Sequence, residues 1–119
     1  MARGINRGEI WLHTFASPDK RRPVLVLSRQ PVIGLLRTVM VAPVTSAIRG
    51  VPSEVPVGIS EGLKGPSAVN LDHVQTVERH KLHHFVGSLS PERMAAVCRA
   101  LLIATGCSGP QEPPPLEAA

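Results

Sequence analysis

The 119-residue chain has no tyrosine, one tryptophan and two phenylalanines, so RNA recognition through aromatic stacking platforms is a poor fit. Trp11 reads as a core or interface residue rather than a base stacker. Only two cysteines are present, Cys98 and Cys107, without CxxC spacing. That excludes a disulfide framework and a cysteine zinc site, and points to a reducing, cytoplasmic setting. No stretch approaches the ~18 apolar residues of a membrane span, and no apolar run follows Arg3 and Arg7, so neither a membrane anchor nor an export signal is expected. A GxSxG elbow is missing as well, which leaves the scattered Ser, His and Asp residues without a triad pattern. Carboxylates are scarce. With Glu112 and Glu117 in the last stretch, residues 1–106 set 13 basic against 7 acidic side chains, a balance of +6. Such an excess favours polyanionic partners, either nucleic acid or an acidic protein.

The length allows one domain with one core. Glu9 to His13 alternate, with Ile10 and Leu12 on one side and Glu9, Trp11 and His13 on the other, as a half-buried strand requires. Ser17, Pro18 and Asp19 turn the chain into a basic run, Lys20, Arg21 and Arg22, that ends at Pro23. The unbroken apolar runs Val24 to Leu27 and Val39 to Ala42 are too short for isolated helices and read as central strands, with Pro31 to Arg37 an irregular connection or one helical turn. From Pro43 to Pro66, glycine and proline recur too often for a helix. Short strands are expected at Glu54 to Val57, at Ala68 to Leu71 with a continuation over Val74 to Val77 after a bend, and at Val86 to Leu89. This pattern favours a small barrel closed on itself over a doubly wound sheet.

One helix is well marked. Ser90 is a suitable N-cap, Pro91 suits the first helical position, Glu92 complements the dipole, and Gly106 is placed as the C-terminal cap. Met94, Val97, Cys98, Leu101, Leu102 and Thr105 form the expected buried stripe, and Ile103 on the opposite face is a candidate dimer contact. Residues 1–106 are therefore taken as the domain, and 107–119, rich in proline, as a disordered tail.

Four strings carry a family likeness: Arg7-Gly8-Glu9-Ile10-Trp11, Arg22-Pro23-Val24-Leu25-Val26-Leu27-Ser28, Val41-Ala42-Pro43-Val44-Thr45-Ser46, and Leu71-Asp72-His73-Val74-Gln75-Thr76-Val77. In order and spacing, and with the closing segment Gly87 to Ala104, they resemble the MazF/PemK (Kid) toxins over nearly all of residues 7–106. The resemblance implies a mainly β fold with α, an SH3-like small barrel of the MazF/CcdB type with a C-terminal helix. It also implies a homodimer with single-stranded RNA in a groove across the subunits, a MazE-like antitoxin whose acidic segment fills that groove, and cleavage without metal or cofactor. In that chemistry the ribose 2'-hydroxyl attacks the adjacent phosphate, leaving a 2',3'-cyclic phosphate and a 5'-hydroxyl.

On the same resemblance, Arg22 is the arginine that grips the phosphate, held next to the rigid Pro23, and Thr45 is the strand-end hydroxyl that donates to a phosphate oxygen. Without it, Thr45 and its weaker neighbour Ser46 read as turn hydroxyls bonded to local backbone. Asp72 stands at the position proposed as base in part of the family, and His73, which replaces a usual glutamine, is a second acid–base candidate. Asn70 falls where one relative has an arginine as acid, a role an amide cannot fill. Lys20, Arg21, Ser46 and Gln75 are the expected RNA contacts. The loop from Phe15 to Arg21 is shorter than the family's and lacks its Gly-rich, acidic core, which puts sequence preference at the cut in question.

Three other possibilities remain open at this point. His80, His83 and His84 have metal-ligand spacing if helical, but nothing completes a site. A CcdB-like gyrase poison shares the fold type, yet the helix ends Ala104-Thr105-Gly106-Cys107 rather than Trp-Gly-Ile. A non-catalytic antitoxin-binding module is favoured by the short loop and opposed by Arg22 and Thr45.

Overall fold

A computed structural model describes residues 4–14 and 21–107. Lys20, and nearly all of the expected tail, lie outside the described residues. Seven strands form one mostly antiparallel sheet: β1 (Glu9–Thr14), β2 (Arg21–Val26), β3 (Thr38–Thr45), β4 (Glu54–Val57), β5 (Ser67–Asn70), β6 (Gln75–Glu78) and β7 (Leu82–Ser88). A short helix, α1 (Gln30–Ile33), links β2 to β3, and α2 (Pro91–Thr105) closes the domain. No helix among the described residues is long and apolar enough to cross a membrane.

The order β4-β5-β3-β2-β1-β7 makes β3 the hub, and β6 pairs with β3 as well. Segment 74–77 therefore does not extend β5. It doubles back as β6 to pair with the first half of β3, from Thr38↔Glu78 to Val41↔Gln75. Both faces of the central strands are buried, which is why their sequences are unbroken apolar runs. Ile10, Leu25, Ala42 and Val44 point to one cluster beneath α2, while Trp11, Val24, Val26 and Val41 point to the other, with Ile33 of α1.

The expected closed barrel is not closed. Its outer strands, β4 and β7, form no ladder with each other among the described residues. A 3-10 turn at Ile59–Glu61 meets β7 in place of a strand. This contact is glycine against glycine. A Cβ on Gly87 would lie 2.0 Å from the Glu61 carbonyl oxygen, and one on Gly62, whose φ is +92°, would lie 2.3 Å from that of Val86. A turn packed so closely has no extended backbone to offer a ladder.

The helix caps follow the sequence: the Ser90 hydroxyl accepts from Arg93 N at 3.1 Å, and Gly106 adopts the left-handed conformation. The buried stripe is rotated from the expected one. Val97 and Ala100 are buried, Met94, Ala96, Leu101 and Ala104 pack partly against the same cluster, and Cys98, Leu102 and Thr105 are exposed. Alanines at three of these positions allow α2 to approach β4 and the Leu71–His73 turn closely. Cys98 instead meets the Arg7 guanidinium, whose Nη2 is 3.4 Å from Sγ.

One buried group gives the fold a pH dependence. His13 is 5% exposed, and burial, followed by the charges of Lys81 and His83, holds its imidazole below the usual value of 6.5. The unfolded chain then binds this proton more readily than the folded one. Stability from this source is complete above about pH 6.5 and is lost as the pH falls below it. Thermal melts between pH 8 and 5 should show a steeper acid loss for the wild type than for His13→Gln; equal slopes would refute the assignment.

Candidate active site

The cleft begins where a ladder stops. Leu27 N donates to Met40 O at 2.8 Å, and antiparallel pairs alternate, so the next hydrogen-bonded pairs between β2 and β3 fall at Leu25/Ala42 and then at residues 23 and 44. Position 23 is Pro23, which has no N–H to give. The β2–β3 ladder ends at Val24↔Pro43. On the other edge of β3, pairing with β6 ends at Val41 and resumes with β5 at Val44, across Pro43, which also lacks a donor. The two strands part above this point like a fork. Arg21 and Arg22 stand on one limb, Thr45 and Ser46 on the other.

Between the limbs lies a cleft of about 880 Å³. Arg21, Arg22, Thr45 and Ser46 all border it, together with Lys64, Ser67 and His84. Leu12, Pro23, Val44, Leu63 and Val86 form its apolar floor, and no carboxylate among the described residues borders it. Arg22 lies directly across from His13 of β1, and neither Arg21 nor Arg22 has a hydrogen-bond or ion-pair partner among the described residues. Their guanidinium donors are left for a ligand. The Thr45 hydroxyl accepts from Ala47 N at 3.0 Å, the local turn bond that its residue type suggests. That bond occupies a lone pair and leaves the proton available, so turn chemistry and donation to a ligand are compatible here.

Asp72 and Gln75 do not border the cleft. Asp72 belongs to a 3-10 turn, Leu71–His73, beside α2; the Ser53 hydroxyl donates to its carboxylate, and its backbone N–H donates to Asn70 Oδ1 at 2.9 Å. His73 shares that turn, its Nδ1 3.3 Å from Asn70 Nδ2. Gln75 is exposed at the start of β6. The structure thus brings together four of the residues expected from sequence, sets Asp72 and Gln75 apart, and does not describe Lys20.

Lys64, Ser67 and His84 were not legible as site residues. Lys64 sits in a Gly-Leu-Lys-Gly-Pro stretch that reads only as punctuation. His84 was grouped with its neighbours as a metal candidate, but His83 and His84 lie on β7, so the helical spacing that motivated that grouping does not exist.

The family model described as PemK-like, MazF-like toxin of type II toxin-antitoxin system matches residues 6–105. The probable endoribonuclease MazF5 of Mycobacterium tuberculosis is 46% identical over 103 residues, spanning 86% of this chain and 94% of that protein. Among solved structures, the Mycobacterium tuberculosis toxin MazF-mt6 superposes with a TM-score of 0.77 at 37% identity, covering 82% of this chain and 96% of that one. A mycobacterial endoribonuclease in complex with its cognate antitoxin does so with a TM-score of 0.80 at 25% identity, covering 90% and 100%.

Proposed function

Since the chain belongs to the PemK-like, MazF-like toxins of type II toxin-antitoxin systems, we infer that it acts as their endoribonuclease at the fork between β2 and β3, on single-stranded RNA and without a metal. The observation that carries this is the cleft itself, bordered by guanidinium groups without a partner among the described residues and by a hydroxyl with a spare proton, and by no described carboxylate. A phosphodiester passing through the trigonal-bipyramidal state gathers charge on its non-bridging oxygens. Arg22 can meet two of these with parallel N–H donors, and Thr45 can donate to the same group from the opposite limb. Arg21 and Lys64 supply the rest of the positive field, the service a divalent ion renders in other nucleases. Asp72 is assigned no step, because it stands outside the cleft with its carboxylate bonded to Ser53.

A cognate antitoxin is the natural inhibitor, and an acidic segment laid in the cleft would meet the same cations as the RNA does, Arg21, Arg22 and Lys64. The working unit is a homodimer, with Leu102 and Ile103, both nearly half exposed on α2, among its candidate contacts. Relatives named as endoribonucleases favour cleavage over gyrase poisoning or a purely antitoxin-holding role.

The test is direct. Purified protein incubated with a single-stranded RNA in excess EDTA should cut it, and mass spectrometry of the fragments should find 2',3'-cyclic phosphate and 5'-hydroxyl ends. Intact RNA, or cleavage that appears only when magnesium is restored, would refute the proposal.

A further inference from the structure

Transesterification by a 2'-hydroxyl needs a group that removes its proton. Among the described polar side chains bordering the cleft, Arg21, Arg22 and Lys64 are cationic donors, Thr45, Ser46 and Ser67 are alcohols, and His84 brings the one imidazole, whose ring nitrogen can accept a proton. We propose that His84 is the general base of this ribonuclease, an extension that rests on the nuclease function assigned to the cleft above.

The sheet places the residue deliberately. Along β1 and β7, His13 is paired with Leu82 and Leu12 with His84, so His83 is an extra residue, a bulge. Without it, Leu12 would face His83. The bulge turns His84 onto the side of Leu12, which lines the floor of the cleft. His84 is exposed and makes no hydrogen bond among the described residues, so its ring nitrogens are open to a substrate. It also forms, with Phe85, the ridge shared with a second cavity. The charged or titratable groups around it among the described residues are Arg21 and Arg22 on β2, Lys64 after the 3-10 turn, and Arg79, His80 and His83 on the second side; no described carboxylate borders either cavity. His84 is thus the one imidazole among the described side chains that share the cleft with Arg22, and the others are hydroxyls and cationic donors.

In the proposed step the proton of the 2'-hydroxyl passes to the neutral imidazole as the 2'-oxygen bonds to phosphorus. The bond from phosphorus to the 5'-oxygen breaks, and that oxygen takes a proton from water. The imidazolium returns its proton to the hydroxide so formed, leaving a cyclic phosphate, a 5'-hydroxyl and the resting enzyme.

The experiment compares the full-length wild type, His84→Ala, His84→Gln and Arg22→Ala by single-turnover cleavage of one RNA across pH, with melting curves to verify folding. Loss of a positioned general base lowers the rate by about 10² or more. The wild-type rate should rise with pH along an acid limb and then level off. Both His84 variants should melt like the wild type, fall by that factor at neutral pH and lose the acid limb, and added imidazole should restore part of the rate to His84→Ala. Retention of the wild-type rate, or a uniform loss with the acid limb intact, would overturn the assignment of His84 while leaving the nuclease standing. If the wild type leaves RNA intact, or Arg22→Ala cuts as well as the wild type, the parent assignment fails instead.

Discussion

Arg22→Ala should lower the rate of RNA cleavage by about 10² to 10³ while leaving the melting temperature unchanged, because the lost group stabilises transition-state charge and nothing in the fold. Arg22 is exposed and has no partner among the described residues, so its removal breaks no internal contact. What disappears is a planar pair of donors fixed beside Pro23. Arg22→Lys should recover only a small part of the rate, since an ammonium group keeps the charge and loses the two-pronged geometry. Single-turnover cleavage checks this in one series. A variant without the guanidinium that cuts within about threefold of the wild type, a difference of well under 1 kcal/mol in barrier height, would remove Arg22 from the chemistry.

The second large effect lies in the scaffold. Gly87→Ala should destabilise the protein by about 3 kcal/mol or more, the upper part of the range for overpacking, and lower Tm by roughly 12 °C or more. The added methyl would sit 2.0 Å from the Glu61 carbonyl oxygen and 2.7 Å from its carbon, both backbone atoms that cannot swing aside. Gly65→Ala is the matched control, as its Cβ would meet nothing within 4 Å. Differential scanning calorimetry of the two variants separates steric cost from a general dislike of alanine. Because the segment displaced in Gly87→Ala leads directly into Leu63 and Lys64, the surviving folded fraction should also bind RNA more weakly, raising KM. A Gly87→Ala protein as stable as Gly65→Ala would mean that the turn does not rest on β7 as described.

Local chemistry carried much of this fold. The Ser90 cap, the Gly106 stop and the limits of β4 follow from residues that act on their immediate neighbours. Sheet closure did not follow, because it depends on whether the ends of the sheet meet in strand or in turn. Only the mutual approach of Gly62 and Gly87, 25 positions apart in sequence, decides that. The helix stripe departs from its hydrophobic pattern for a related reason. Hydrophobicity placed Leu102 inward, whereas the close approach of α2 to β4 and the Leu71–His73 turn favours the small side chains of Ala96, Ala100 and Ala104.

The candidate site was legible on two limbs and illegible on its third wall. Arg22 and Thr45 lie in strings that resemble a known family, and the register explains their meeting: continued past Pro43, it would set one opposite the other. His84 could not be read that way. Its orientation depends on a bulge, and a one-residue slip in β7 exchanges it for His83. Asp72 is the opposite case: a family position suggested a base, whereas its turn is held by Ser53 and Asn70 and packs toward α2.

Pro23 gives the molecule an unusual economy of failure. A residue substituted at Pro23 brings back an amide hydrogen facing β3, and with it the means to zip β2 and β3 further toward their ends, whereas one at Pro43 restores a donor only on the edge that meets β5 and β6. At Pro23, the change that would reinforce the sheet is thus the one that seals its opening. A lineage of this toxin pressed toward heat resistance would have to find its extra robustness elsewhere, or become harmless.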